Sequence, residues 1–227
     1  MKFKHRLILL INKLYFFKRL FRKFINPTNT VVLIKQNGKR IYNPKIKNLE
    51  CIFMGSNNCV EITEPLRIET KFTIKCTGSH STVKIGKSNV YTNCTILLRN
   101  RANVEIGDYT TWGGGTIITA DNSTVKIGSD CMFSNMIEIR VTDGHTLYDR
   151  DSKKLINDNK DITIGNHVWI GTRALLLKSN IADNNIIGAC SFVNKDFNIH
   201  NCVIAGTPAK VVKTNVNWDR RTPTTYQ

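Results

Sequence analysis

A repeat of 21 residues constrains the fold of this chain more than any other feature of its sequence. Three consecutive segments align without gaps and begin at Ser81, Ala102 and Ser123. In each segment a valine, an isoleucine and a glycine occupy the same positions, an aromatic residue follows, and a second aliphatic position recurs. The aligned residues are Val83, Val104 and Val125; Ile85, Ile106 and Ile127; Gly86, Gly107 and Gly128; Tyr91, Trp112 and Phe133; and Leu97, Ile118 and Ile139.

Short β-branched strands with a turn glycine at a fixed period predict a solenoid whose coils stack on one another. An antiparallel sandwich with evenly spaced strands is the alternative. We disfavour the sandwich because its hairpins do not require the same residue at the same position three times. The period exceeds three hexapeptides, which predicts an additional turn segment at one corner of each coil.

The repeat stops at VTDGHTLYDRDSKKLIN, residues Val141–Asn157, which places one histidine in a charged segment. The repeat then resumes with shorter steps, at Ile162–Gly165 and Val168–Gly171. We therefore expect a loop over residues 144–160 that protrudes from the solenoid.

The first 26 residues differ from the rest in charge. The formal net charge of the chain is +16, and Met1–Ile25 contains eight basic residues and no acidic one. An apolar stripe at helical spacing predicts an amphipathic helix over residues 1–26. The stripe consists of Phe3, Leu7, Leu10, Leu14, Phe17, Phe21 and Phe24.

We expect this helix to lie on the anionic inner face of a membrane, which would make the protein cytoplasmic and peripheral. A short coiled coil between copies is the alternative, but complementary acidic residues are missing. Asn12 and Lys13 interrupt the apolar run, which argues against a transmembrane span. Basic residues continue to Lys23, which argues against a cleaved signal peptide. The sequence shows no nucleic-acid-binding motif, so we expect no nucleic-acid partner.

The seven cysteines form no C-x-x-C pair and no metal-type group with histidine. An odd and dispersed set predicts reduced thiols that serve as small buried side chains in the cytoplasm. We therefore expect no disulfide framework and no metal.

The motif set HVWIG, IIGACSFV and AGTPAKVV within Ile162–Lys213 resembles the hexapeptide-repeat acyltransferases. The nearest branch is the O-acetyltransferases of bacterial surface polysaccharides. The segment TDGHTLYD resembles the histidine loop of that branch. The resemblance covers about Ser81–Lys213, and it departs from the family at Lys178-Ser179, at Ala182 and in the proline-free Asp196–Cys202. It implies an all-β, left-handed parallel β-helix over residues 27–213, a C-terminal tail over 214–227, and a homotrimer that binds acetyl-CoA between subunits.

A sugar hydroxyl is a poor nucleophile toward a thioester, so O-acetylation requires a base that works near neutral pH. Of the five histidines, His145 is the one at the edge of a coil in the matched loop, and we predict that it is the general base. A carboxylate is expected to orient its ring. Asp143 is our choice over Asp149, although either is also consistent with a turn or cap residue.

Trp169 is the second predicted catalytic residue. Strand alternation in VWIG sends Val168 and Ile170 inward and Trp169 outward. In the resembled branch this tryptophan lines the active site, where its indole N–H supports the oxyanion or its ring stacks on sugar. A plug at a subunit interface is the alternative.

Trp112 and Tyr148 are the predicted acceptor-binding residues. Gly113–Gly115 follow Trp112 and suggest either a notch through which the sugar enters or a tightly packed coil corner. The sequence does not separate these two readings.

The resemblance places coenzyme A along the later coils. The predicted cofactor-binding residues are Gly171, Thr172, Gly188, Ala189, Ser191, Lys195, Pro208, Lys210 and Lys213. The small residues would let the pantetheine arm approach the backbone, the hydroxyls would bind its amides, and the lysines would face phosphate, although each lysine is equally consistent with a solvated surface charge. The turn at Gly206 and Pro208 would close the last coil.

The resemblance, together with these residues, implies an acetyl-CoA-dependent O-acetyltransferase that acts on a capsular or O-antigen-type polysaccharide or its lipid-linked precursor. Two alternatives stay open at this point. One is an N-acyltransferase for an amino sugar or small amine, and the other is a non-catalytic, membrane-associated scaffold that binds glycan.

Overall fold

The computed structural model describes residues 28–225. The helix predicted over residues 1–26 lies outside the described residues, so it stays a prediction together with its membrane contact. Within the described residues no helix is long and apolar enough to cross a membrane.

Nineteen strands and one short 3-10 helix make up the described chain. The strands are β1 Thr30–Ile34, β2 Arg40–Tyr42, β3 Leu49–Phe53, β4 Cys59–Thr63, β5 Leu66–Cys76, β6 Thr82–Ile85, β7 Asn89–Leu98, β8 Asn103–Ile106, β9 Thr111–Ile118, β10 Thr124–Ile127, β11 Met132–Phe133, β12 Ile137–Arg140, β13 Ile162–Ile164, β14 Trp169–Ile170, β15 Leu175–Leu177, β16 Ile186–Ile187, β17 Phe192–Val193, β18 Val203–Gly206 and β19 Ala209–Lys213. The 3-10 helix is Pro223–Thr225.

Parallel pairing between successive coils confirms the predicted solenoid. One sheet has the order β13-β10-β8-β6-β4-β1-β2, and it contains the repeated TVKI and NVEI strands. The pairing keeps the sequence phase, because Val83 pairs with Val104 and Val104 with Val125. The second sheet forms two faces that meet at a corner inside β9. The first half of β9 pairs with β11 and the second half pairs with β12.

The core consists of columns of apolar side chains in which each residue packs on its counterpart in the next coil. Val60, Val83, Val104, Val125 and Ile162 form one such column, and all five are fully buried. Burial of each side chain of this size contributes about 1.5–3 kcal/mol, and no single coil can achieve it alone. Stacking is therefore the source of the stability of this fold.

The coils differ in size at one corner. Nine residues lie between Ile117 and Ile127, whereas four lie between the matching Leu176 and Ile181. The additional residues of the early coils lie around Thr119–Ser123, which confirms the extra turn segment predicted from the 21-residue period. The His145 loop leaves the solenoid at this same corner, one coil later.

All seven cysteines are free thiols. Burial raises the pKa of the Cys76 and Cys94 thiols to about 12, consistent with small apolar side chains. Cys190 is exposed, so the prediction of burial is wrong for this residue. It lies in a turn with a φ of +56°, where the backbone directs its side chain away from the core.

Candidate active site

The predicted histidine loop is present as a small hairpin that protrudes between β12 and β13. Tyr148 and Leu155 face each other in an antiparallel bridge. The Ile156 N–H donates to the Leu147 carbonyl over 3.0 Å. At the base of the loop the Lys160 N–H donates to the Val141 carbonyl over 3.0 Å. The loop is thus closed at its base by the backbone and has a defined shape.

Asn157 fixes the backbone beside His145, and sequence reasoning missed this residue. Its amide nitrogen donates to the His145 carbonyl over 2.8 Å and to Asp143 Oδ2 over 2.9 Å. Its amide oxygen accepts the Leu147 N–H over 2.7 Å. One side chain therefore holds three points of the opposite strand of the loop. The chance of finding it from sequence was small because asparagine is common in loops.

The His145 ring is exposed, and within residues 28–225 it has no hydrogen-bond partner. Asp143 does not orient it in this chain, which corrects our prediction. The Asp143 carboxylate pairs instead with Lys178 Nζ, which also donates to the Asn157 carbonyl over 3.1 Å. Asp149, the other candidate, accepts the backbone N–H of Ser152 over 2.7 Å and therefore caps its own turn.

The Lys178 ammonium beside Asp143 holds the pKa of that carboxyl below its ordinary value. A carboxyl whose pKa is lower in the folded state than in the unfolded state stabilises the folded protein at any pH above the unfolded-state pKa. This stabilisation is lost as the pH falls through the folded-state pKa. The pair therefore persists across the neutral range. It anchors the base of the loop on the residue that follows β15 in the next coil.

We expect Asp143→Asn to lower kcat about tenfold by loosening the loop base. Lys178→Met should give a similar loss, and the double variant should lose little more, because both substitutions break the same contact. The measurement is a double-mutant cycle on steady-state rates. Additive losses would contradict this anchoring role.

Trp169 faces outward, as strand alternation predicts. Its side chain is 38% exposed, whereas Val168 and Ile170 are fully buried. It lies in β14, between Met132 and Ile186 of the neighbouring coils. This face differs from the corner that carries His145, so a single chain does not bring these two residues together.

A C-terminal segment that sequence reasoning missed covers the edge of this face. Residues 216–220, hereafter the C-terminal strap, run back across the coils. The Trp218 ring stacks on His167 with centroids 4.2 Å apart and an interplanar angle of 8°. His167 Nδ1 donates to Asp130 Oδ2 over 2.7 Å. Arg220 Nε donates to the other oxygen of Asp130 over 3.1 Å.

Trp112 lies inside the solenoid, which corrects its predicted role in acceptor binding. It is 1% exposed, packs edge-on against Phe133 at 5.7 Å, and its indole N–H donates to the Gly114 carbonyl over 2.9 Å. Gly115 is required by packing, because a Cβ atom there would lie 2.0 Å from the Ile137 carbonyl oxygen. The glycines still line an open surface hollow of about 420 Å³.

Several predicted cofactor residues lie together along the corner between the two faces of the second sheet. The Thr172 carbonyl accepts the Cys190 N–H over 2.8 Å, and the Cys190 carbonyl accepts the Thr207 hydroxyl over 3.3 Å. Gly171 and Ala189 belong to this ridge, since a Cβ atom at Gly171 would lie 2.6 Å from the Ala189 nitrogen. The glycine is thus explained by coil stacking alone.

Ser191 is buried, which corrects its predicted contact with pantetheine. It is 1% exposed and its hydroxyl oxygen accepts the Gly206 N–H over 3.2 Å. The Thr172 hydroxyl donates to the Asn135 carbonyl over 3.0 Å, and no donor within residues 28–225 binds its oxygen. A Cβ atom at Gly188 would lie 2.8 Å from Ala205 Cβ, so this glycine is also needed by the stack.

The remaining cofactor residues lie in two places. Pro208 is in the turn between β18 and β19, whose antiparallel pairing closes the last coil, and Lys210 and Lys213 are exposed on β19. Lys195 is exposed on a different corner, near the base of the His145 loop, with its ammonium 5.4 Å from the Phe197 ring centroid. The structure therefore does not gather the three lysines into one cluster.

Comparison with known proteins identifies relatives of this chain. No protein-family model matches it. It is 37% identical over 125 residues to a polysialic acid O-acetyltransferase of Neisseria meningitidis, a match that covers 55% of this chain and 58% of that relative. The chain thus spans little more than half the length of this relative. Two solved structures match over more of the chain.

The polysialic acid O-acetyltransferase OatWY superimposes with a TM-score of 0.75 at 29% identity. The polySia-specific acetyltransferase NeuO gives 0.72 at 28% identity. Each match covers 88% of this chain and 92% of the other. The predicted all-β, left-handed parallel β-helix is therefore confirmed for the described residues.

Proposed function

We propose that this chain, a homologue of the polysialic acid O-acetyltransferases with their left-handed hexapeptide-repeat β-helix, transfers an acetyl group from acetyl-CoA to a hydroxyl of an anionic bacterial surface polysaccharide or its lipid-linked precursor. The observation that carries this proposal is the exposed His145 on a fixed loop, in a fold shared with enzymes of this activity. His145 accepts the hydroxyl proton as the oxygen attacks the acetyl carbonyl carbon. The carbon–sulfur bond then breaks, and coenzyme A leaves as its thiol after protonation.

Trp169 is the second residue of the proposed site, and it joins His145 only if two copies meet. The loop exposes Leu147, Tyr148 and Leu155 by 55, 57 and 49%, respectively, and Ile156 by 65%. An exposed apolar group of this kind marks a surface that another protein covers. In the proposed homotrimer the neighbouring subunit covers this loop, and the active site lies in the shared seam. Tyr148 then lines the seam rather than a cleft within one chain.

Coenzyme A is proposed to bind along the ridge at Thr172 and Ala189. The exposed Lys210 and Lys213 beyond the ridge supply positive charge for its phosphates.

The proposal also places the enzyme at the inner face of the membrane through residues 1–26. That placement is supported by the sequence alone, which combines an apolar stripe with eight basic residues outside the stripe.

The experiment is to incubate the full chain with acetyl-CoA and either polysialic acid or a neutral galactoside. We expect thiol release only with the anionic acceptor, together with a mass increase of one acetyl group on the glycan. Mild base should remove that group, because an ester hydrolyses far more readily than an amide. A base-stable product would instead support N-acylation. Absence of thiol release with a panel of anionic capsular glycans would support the non-catalytic scaffold.

A further inference from the structure

The C-terminal strap lies beyond the strands of the β-helix, yet it reaches the outward-facing residue of the proposed site. The Trp218 ring centroid lies 6.3 Å from that of Trp169, at an interplanar angle of 50°. This tilted geometry is one that aromatic pairs favour. Trp218 itself is 7% exposed, so its ring serves as packing material and is not available to a ligand.

Trp218 is held in place on two sides. One face stacks on His167, and its indole N–H donates to the His167 carbonyl over 2.9 Å. In return, His167 Nε2 lies 3.2 Å from the Trp218 carbonyl oxygen. The His167 carbonyl is only two residues before Trp169, so Trp218 is fixed relative to the backbone that carries Trp169.

Arg220 fastens the strap farther along the solenoid. Its Nη2 donates to the Tyr109 carbonyl over 3.0 Å and to the Cys131 carbonyl over 2.9 Å. Its Nη1 donates to the Thr111 hydroxyl over 2.9 Å. Together with the contact to Asp130, these bonds use the planar array of guanidinium donors on two neighbouring coils. The strap is therefore a bound element of the fold.

Trp169 needs an external support. Its strand is only two residues long, and the ring points away from the core, so core packing does not select its rotamer. Its neighbours on the adjacent strands are Met132, whose side chain is flexible, and Ile186, whose side chain is smaller than an indole. Trp218 is the one aromatic ring, among the described residues, that lies beside Trp169.

We propose that Trp218 is a positioning residue that holds the Trp169 indole in a single orientation in the active-site seam. This inference rests on the proposed function, in which Trp169 contacts the reacting groups. Loss of the Trp218 ring should leave the β-helix intact while it allows Trp169 to sample several rotamers. Transition-state stabilisation should suffer more than substrate binding, because misplacement of a positioned group acts chiefly on the chemical step.

The test uses the full chain with Trp218→Ala, Trp218→Phe and the control Asp219→Ala. Asp219 belongs to the strap but pairs with Arg221 and not with Trp169. We expect Trp218→Ala to lower kcat about 10- to 100-fold with little change in either KM. Trp218→Phe, which keeps an aromatic ring, should recover most of kcat. Asp219→Ala should behave like the unsubstituted protein.

A second measurement does not depend on activity. The chain has three tryptophans, so fluorotryptophan labelling gives three fluorine NMR resonances that single Trp→Phe variants assign. We expect the Trp169 resonance to be single and sharp, and to broaden or split in Trp218→Ala but not in Asp219→Ala. An unchanged Trp169 resonance in a folded Trp218→Ala protein would overturn the inference. If the resonance changes but no acetyl transfer occurs with any acceptor, the proposed function fails and the positioning contact stands.

Discussion

His145→Ala is expected to lower kcat for acetyl transfer by about 10²–10⁴-fold, which is the usual contribution of a general base. The side chain is exposed and, within the described chain, bonded to nothing, so its removal leaves neither a cavity nor an unsatisfied partner. The hairpin is held by backbone contacts and by Asn157, which remain. Thermal stability should therefore be unchanged, and the loss should appear in rate alone.

The matched control for this variant is His200→Ala, another exposed histidine outside the loop. The two proteins should show the same melting temperature and the same oligomeric state, and should differ only in thiol release from acetyl-CoA. Activity of His145→Ala within a factor of about three of the control would contradict the assigned base. It would leave the fold and the loop geometry untouched.

Gly115→Ala is expected to have the largest effect on stability, about 3–5 kcal/mol. The backbone there has a φ of +148°, and a Cβ atom would lie 2.0 Å from the Ile137 carbonyl oxygen. That contact is with backbone in the next coil, so no side chain can move aside to relieve it. Pairing between β9 and β12 must open, and thermal unfolding measured by circular dichroism should shift strongly downward.

Gly38→Ala is the control that separates the steric clash expected in Gly115→Ala from the strain of a positive φ. Gly38 also has a positive φ, of +80°, but no atom lies within 4 Å of the position that a Cβ atom would occupy there. Its replacement should cost about 1 kcal/mol, the penalty for a side chain in a left-handed conformation. Equal destabilisation by the two variants would show that stacking of the coils at Gly115 is looser than the structure indicates.

The stack was predictable because its signal is local and repeated. Val83, Val104 and Val125 occupy one phase in sequence and one column in space. The position of Trp112 in the repeat also predicts its burial, because Trp112 aligns with Tyr91 and Phe133, and all three side chains are buried. The adjacent glycines drew attention to a binding notch, although a recurring aromatic position is better explained by the core.

Contacts between distant segments were not predictable in the same way. Asp143 and Lys178 are 35 residues apart in the sequence, and their pairing depends on which coil carries each residue and on where each lies in that coil. Arg220 binds Tyr109 across 111 residues of sequence, and the segment that carries it has no periodicity. A single sequence gives no signal for such pairs, because no local pattern records which surface atoms a returning segment will meet.

The course of the strap also has a consequence for the register of the coils. Its docking points precede it by 51 to 111 residues in the chain, and neighbouring coils lie about 4.8 Å apart. A slip by one coil would displace the Tyr109 and Cys131 carbonyls from the reach of Arg220. Residues 216–220 can therefore make these contacts only when the coils between the docking points and the strap are stacked in register.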